Sequence, residues 1–139
     1  MKKWCVADKE NIADIKLEVF GKTKEELLKN LIQAFTETVT EIKKVAKKEV
    51  IKDLKVKGEN FSEVVFNFIE KLIFLKDTNF FLARTGIFKF KNNELTFSLW
   101  GQTITKDLPI KIDIKALTQH KFQVKKEKKY YKVSLVFDI

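Results

Sequence analysis

The stretch from Asn60 to Leu75 constrains the fold more than any other. Phe61, Val64, Val65, Phe66, Phe68, Ile69, Leu72, Ile73 and Leu75 recur at helical spacing and cover more than half of a helix circumference. A helix apolar over so wide an arc has to be covered on more than one side, so it belongs at the centre of a core. Asn60 is placed to cap it, with Glu63 at the third helical position. Ser62, Glu63, Asn67, Glu70 and Lys71 break the apolar run, so it is not a membrane span.

The rest of the chain supplies what can cover that helix. Ile15-Lys16-Leu17-Glu18-Val19 alternates as a half-buried strand and ends at Gly21. Thr23-x-x-Glu26 is a capping box, and Leu27, Leu28, Leu31, Ile32, Phe35 and Val39 follow as one helical stripe. Leu54 and Val56 alternate with lysines in a short strand before Gly58. Ile87–Lys91 and Glu94–Trp100 flank Asn92-Asn93, a two-residue hairpin turn. Ile110, Ile112, Ile114 and Ala116 alternate in a further expected strand running on toward Phe122 and Val124. Lys125–Lys129 is a charged turn, and Tyr131, Val133, Leu135, Phe137 and Ile139 alternate to the last residue. Strand, helix, strand, helix and then a run of antiparallel strands is an α+β order, not a doubly wound one. The expectation is a single domain over 1–139, with two main helices packed on a largely antiparallel β-sheet.

Length and composition agree. A chain of 139 residues with 45% hydrophobic content and 13 phenylalanines can close a core without staples. Cys5 is the only cysteine and His120 the only histidine, which excludes an internal disulfide and a four-ligand Cys/His zinc site. Cys5 reads as a small buried apolar residue. With no apolar leader after Met1, a reduced thiol points to the cytoplasm, and no membrane association is expected. The net charge of +9 is carried almost wholly by lysine, since Arg84 is the sole arginine. Lysine suits diffuse attraction to phosphate and suits base reading poorly. The same balance fits a Lys/Glu-rich thermophile surface. No glycine-rich phosphate loop or nucleophile elbow occurs.

Several segments, in order, resemble the archease family, small accessory proteins of the RtcB-type tRNA-splicing RNA ligase. They are Asn11-Ile12-Ala13-Asp14-Ile15 leading to Val19-Phe20-Gly21, then Thr23-Lys24-Glu25-Glu26, then Gly58 to Leu75 running into Asp77-Thr78-Asn79-Phe80-Phe81. Trp100-Gly101, Ile114-Lys115-Ala116-Leu117-Thr118-Gln119-His120 and the closing Phe137-Asp138-Ile139 complete the set. Asn11, Ile12, Gln102 and Gln119 stand where the family pattern has His, Thr, Glu and Tyr.

The resemblance implies an activator and not an enzyme. It would promote guanylylation of the ligase and multiple turnover, and meet tRNA only through the ligase. It also implies a divalent metal, typically calcium, held by Asp14, Asp138 and Ile139. Read alone, Asp14 is a turn carboxylate and Asp138 a solvated strand-end carboxylate facing away from Val133, Leu135 and Phe137. If they meet, with the Ile139 α-carboxylate as third donor, hard oxygens converge that suit Ca²⁺ or Mg²⁺ rather than Zn²⁺. Lys115 shares the parity of Lys111, Asp113 and Leu117. It reads as a solvated face, or as a phosphate or partner contact. His120 reads as structural, or as a contact or proton-transfer group beside the site. The rival reading is a free-standing basic RNA-binding module, although most aromatic residues alternate inward, against a base-stacking platform. A small metal-dependent hydrolase would need a nucleophile or positioned base that the sequence does not display.

Overall fold

The computed structural model describes residues 2–8 and 13–139; Asn11 and Ile12 lie outside them. The chain runs β1 (Trp4–Asp8), β2 (Asp14–Gly21), α1 (Lys24–Val39), β3 (Glu49–Lys57), α2 (Phe61–Asn79), β4 (Phe81–Lys91), β5 (Glu94–Thr103), β6 (Ala116–Leu117), β7 (Gln123–Lys126) and β8 (Tyr131–Asp138). The strands form two sheets rather than one. The first has the order β1-β2-β8, with β6 and β7 sharing the far edge of β8, and the second has the order β3-β5-β4. Every pairing is antiparallel. Each helix touches strands of both sheets, which is how α2 is covered on more than one side.

The local signals act as expected. The Thr23 hydroxyl accepts from the Glu26 N–H at 3.0 Å, and Glu26 reaches back to the Lys22 N–H at 3.2 Å. The Asn60 side chain accepts from the Glu63 N–H at 2.9 Å. Asn92 takes φ 57 in the β4–β5 turn, a left-handed conformation that asparagine tolerates. Asn93 secures that turn to the start of α2, its amide donating to the Glu59 carbonyl at 2.9 Å. In the core, Phe68 is fully buried, edge-on to Phe88 at 5.7 Å and to Phe97 at 5.0 Å. Phe35 of α1 meets Phe137 of β8 at 5.8 Å, joining helix to first sheet.

Four features differ from the sequence reading. β1 pairs with the edge of β2, although its five residues show little alternation. β3 begins at Glu49, and Asp53 (φ 57) forms a break in its ladder with β5. The expected strand over Ile110–Ala116 is irregular up to Lys115. Pro109 removes a donor there, and the segment makes single tethers instead: Lys111 N–H to the Val39 carbonyl at 2.8 Å and Lys115 N–H to the Asp138 carbonyl at 2.8 Å. The alternation is consequently lost across the junction. Leu117 lies opposite Phe137 and is buried, while Ala116 lies opposite Asp138. Finally, Cys5 is only half-buried, its Sγ 3.9 Å from Glu18 Oε1.

One tether is a buried lysine. Lys76, only 5% exposed, pairs with its helix neighbour Asp77 at 2.5 Å and reaches out of α2 to Asp113 at 2.9 Å. Burial pushes its pKa down, but hydrogen bonds and charge from the two aspartates outweigh that and the net shift is up. Through Asp113 it holds the irregular segment that delivers β6 to β8.

Candidate functional site

Alternation in β2 and β8 sends Ile15, Leu17, Val19, Val133, Leu135 and Phe137 into the core. The intervening residues therefore share the outer face. Asp14 and Asp138 are register partners at one end of that face. Directly opposed residues on an antiparallel pair have Cβ atoms about 4.5–5.5 Å apart, so the two carboxylates stand side by side. Like charges so placed destabilise a sheet unless something positive lies between them.

A small cleft of ≈ 240 Å³ opens over this pair. Lys16 and Val136, the next outward pair along the ladder, form its floor, and Thr118, His120 and Lys121 from the turn after β6 form its wall. Lys121 has φ 66, which turns the chain there. The Thr118 hydroxyl approaches Asp138 Oδ1 at 3.4 Å, a long hydrogen bond. The cleft is below the size of pockets that enclose drug-sized ligands and suits a small hydrated ion.

The sequence expectations separate here. Asp14, Asp138 and His120 come together at the cleft, whereas Lys115 and Ile139 do not line it. Lys115 is exposed, and its main-chain N–H donates to the Asp138 carbonyl. Ile139 packs its side chain against the core, and its N–H donates to the Ala13 carbonyl at 3.0 Å, closing the end of the β2–β8 ladder. Lys16, Thr118 and Lys121 are the site residues that sequence reasoning missed. Lys16 was open to discovery, since it shares the parity of Asp14. Thr118 lies inside the Lys115–His120 motif. Among the described residues, no group of three or more His, Cys, Asp or Glu side chains is arranged to hold a metal. The donors at hand are two carboxylates and a hydroxyl. They are hard oxygen groups that fit a Ca²⁺ or Mg²⁺ ion completing its shell with water, and they lack the nitrogen and sulfur ligands zinc prefers. Gln102, at the family-variant position, is 5% exposed and lies elsewhere. Its Oε1 accepts from the Ala46 N–H at 2.7 Å, so its role is to fix the loop before β3.

Two helices held between two antiparallel sheets, with an open cleft lined by two aspartates, two lysines and a histidine at the end of one sheet, define a small α+β protein with a charged surface site. The comparisons with known proteins narrow that class. The family model described as the Archease protein family (MTH1598/TM1083) matches residues 7–139, and the chain belongs to that family. It is 26% identical over 127 residues to the protein archease of Thermoplasma volcanium, covering 91% of this chain and 93% of that one. It is 28% identical over 131 residues to protein archease of Pyrococcus abyssi, covering 91% and 90%. The solution structure of Methanobacterium thermoautotrophicum protein 1598 superposes with a TM-score of 0.81 over 100% of both chains at 23% identity, a likeness of fold. Among the described residues, no helix is long and apolar enough to cross a membrane.

Proposed function

We propose that this chain is an accessory protein of an RtcB-type tRNA-splicing RNA ligase, promoting guanylylation of the ligase and its repeated turnover rather than catalysing a reaction itself. Its cleft would hold a divalent cation, calcium by resemblance, on the carboxylates of Asp14 and Asp138 with the Thr118 hydroxyl beside them. The Ile139 α-carboxylate, the third donor the resemblance implies, does not line the cleft and would have to turn toward it. The observation that carries this reading is the register pairing of Asp14 with Asp138, which sets two carboxylates from distant parts of the chain against each other on an exposed face. Such a pair costs stability to the extent that Lys16 and Lys121 in the same cleft leave it uncompensated, and a bound cation would remove the remainder. When bound, the cation would supply local positive charge and open coordination positions for oxygen ligands of the partner.

The chain's own residues prepare that surface. Lys115 fixes the backbone of Asp138 through its N–H, and its exposed side chain is free to contact phosphate or partner. His120 and Lys121 stand at the rim, where a docking ligase would meet them. Membership of the family supports the ligase as the partner. The test is formation of the ligase–GMP adduct from GTP, with and without this chain. A faster adduct and more turnovers per ligase are expected. An unchanged rate across a range of calcium concentrations would overturn the proposal.

A further inference from the structure

The outer face of the first sheet is electrically polarised. The carboxylate pair occupies one end. At the other, six residues along β2 at Phe20 and so about 20 Å away, the face is basic and aromatic. Phe20 has the parity of Asp14, Lys16 and Glu18 and so lies on the outer face, opposite Lys132. Its ring meets Tyr130, from the β7–β8 turn, edge-on at 5.9 Å, and both are half-buried. These two rings do not alternate inward, unlike most aromatic residues of the chain.

Lysines adjoin both rings along the chain: Lys22 follows Phe20 by two residues, and Lys128 and Lys129 precede Tyr130. Lys3, Lys22 and Lys29 line one concave surface beside α1, and the Phe20 N–H donates to the Lys3 carbonyl at 2.8 Å. Lys128 and Lys129 belong to the β7–β8 turn on the other side, and Lys125 to β7 just before it. None of these six has an ion-pair partner among the described residues, whereas the nearby Lys132 is held by Glu18 at 2.7 Å. Glu26 is the one acidic residue lining the concave surface, and part of its charge is directed to the Lys22 N–H of the helix cap.

Unpaired lysines near a half-buried aromatic pair on an outer sheet face form an arrangement that can take single-stranded nucleic acid. Phosphates pair with the ammonium groups, and a base rests against a ring. An acidic protein surface would use the lysines and leave the rings without a purpose. We infer that this end of the sheet is a binding surface for single-stranded RNA, contacted through the phosphate backbone with one base against Phe20 and Tyr130. The choice of RNA over DNA rests on the proposed function. The surface itself goes beyond that reading, because it lies at the opposite end of the sheet from the cleft.

The experiment uses the intact chain without ligase, so that its outcome is separable from ligase activation. Binding of a 5′-fluorescent oligouridylate is followed by anisotropy across a salt series. Contacts to three or four phosphates would give a log–log salt slope of about −2 to −3. Lys22→Gln with Lys129→Gln should flatten that slope by about 1.4 and weaken binding about tenfold. Tyr130→Ala should weaken it at least ~fivefold through lost stacking. Thermal melts establish that each variant is folded, and the lysine pair, being exposed, remains informative if Tyr130→Ala unfolds. No binding at low salt would overturn the inference. So would displacement of the RNA by polyglutamate as readily as by unlabelled oligouridylate, or binding indifferent to both variants. Ligase stimulation with no oligouridylate binding would overturn this inference alone.

Discussion

Asp14→Asn separates function from stability at the cleft. The substitution keeps the shape of the side chain and removes one of two opposed carboxylates. At a separation of ~6 Å, two unit charges repel by about 0.7 kcal/mol in water and by about 2.8 kcal/mol at an effective dielectric of ~20. Asp138 is exposed, and Lys16 and Lys121 share the cleft, so the lower figure governs and is itself partly offset. In the presence of a chelator the variant should therefore be more stable than the parent by about 0.5 kcal/mol, a rise in Tm of ~2 °C. Calcium should reverse the order. At about a hundred times its Kd, a ligand specific for the folded state stabilises by ~2.7 kcal/mol, or ~8 °C for a chain of this size. The parent should show that rise and Asp14→Asn only a fraction of it. Calorimetric melts of both proteins in chelator and in calcium decide the matter. If Asp14→Asn is destabilised by more than about 1 kcal/mol without calcium, Asp14 is a structural residue. If both proteins respond equally to calcium, the pair is not the site.

Further predictions concern the frame. Gly101→Ala should destabilise by about 3 kcal/mol or more, because the new Cβ would lie 2.0 Å from the Leu82 carbonyl oxygen; urea unfolding measures it. Phe68→Ala should lose about 3–5 kcal/mol by leaving a cavity between Phe88 and Phe97, read as a lower urea midpoint. Glu37 is partly desolvated, which raises its pKa, but Lys111, the Ile42 N–H and Lys43 together hold it below the usual carboxylate range. Its contribution is thus complete above the unfolded value near ~4.3 and is lost as pH falls through the folded value. Melts of Glu37→Gln should accordingly converge on those of the parent in acid. Lys76→Met removes the clamp on Asp113, and weaker protection from hydrogen exchange is expected at the Lys115 N–H, with little change at the α1 amides.

The helices were legible because their signals are local. Thr23 and Asn60 cap them, and the apolar stripes repeat within a few residues. β2 and β8 were legible for a related reason, since each buries one face and alternates strictly. β1 and the start of β3 lie at sheet edges, where a backbone ladder can form with little apolar patterning. Ile110–Ala116 misled in the opposite way. Its alternate residues are apolar, yet Pro109 and the ion pair between the buried Lys76 and the exposed Asp113 give the segment a path of single tethers. At the cleft, the types and parity of Asp14 and Asp138 could be read from the chain, but their meeting is a matter of register between strands more than a hundred residues apart. The charge of Lys125–Lys129 could be read from the chain, whereas the Phe20–Tyr130 contact could not, because the two rings join only through the packing of the β7–β8 turn against β2.

The central claim is that the Asp14–Asp138 cleft is the part of this protein that activates the ligase. The direct measurement is the rate of ligase–GMP formation in calcium with the parent chain and with the Asp14→Asn/Asp138→Asn double variant, each shown to be folded by its melt. The account predicts acceleration by the parent and a rate with the double variant no faster than that of the ligase alone. Equal acceleration by both proteins would contradict it.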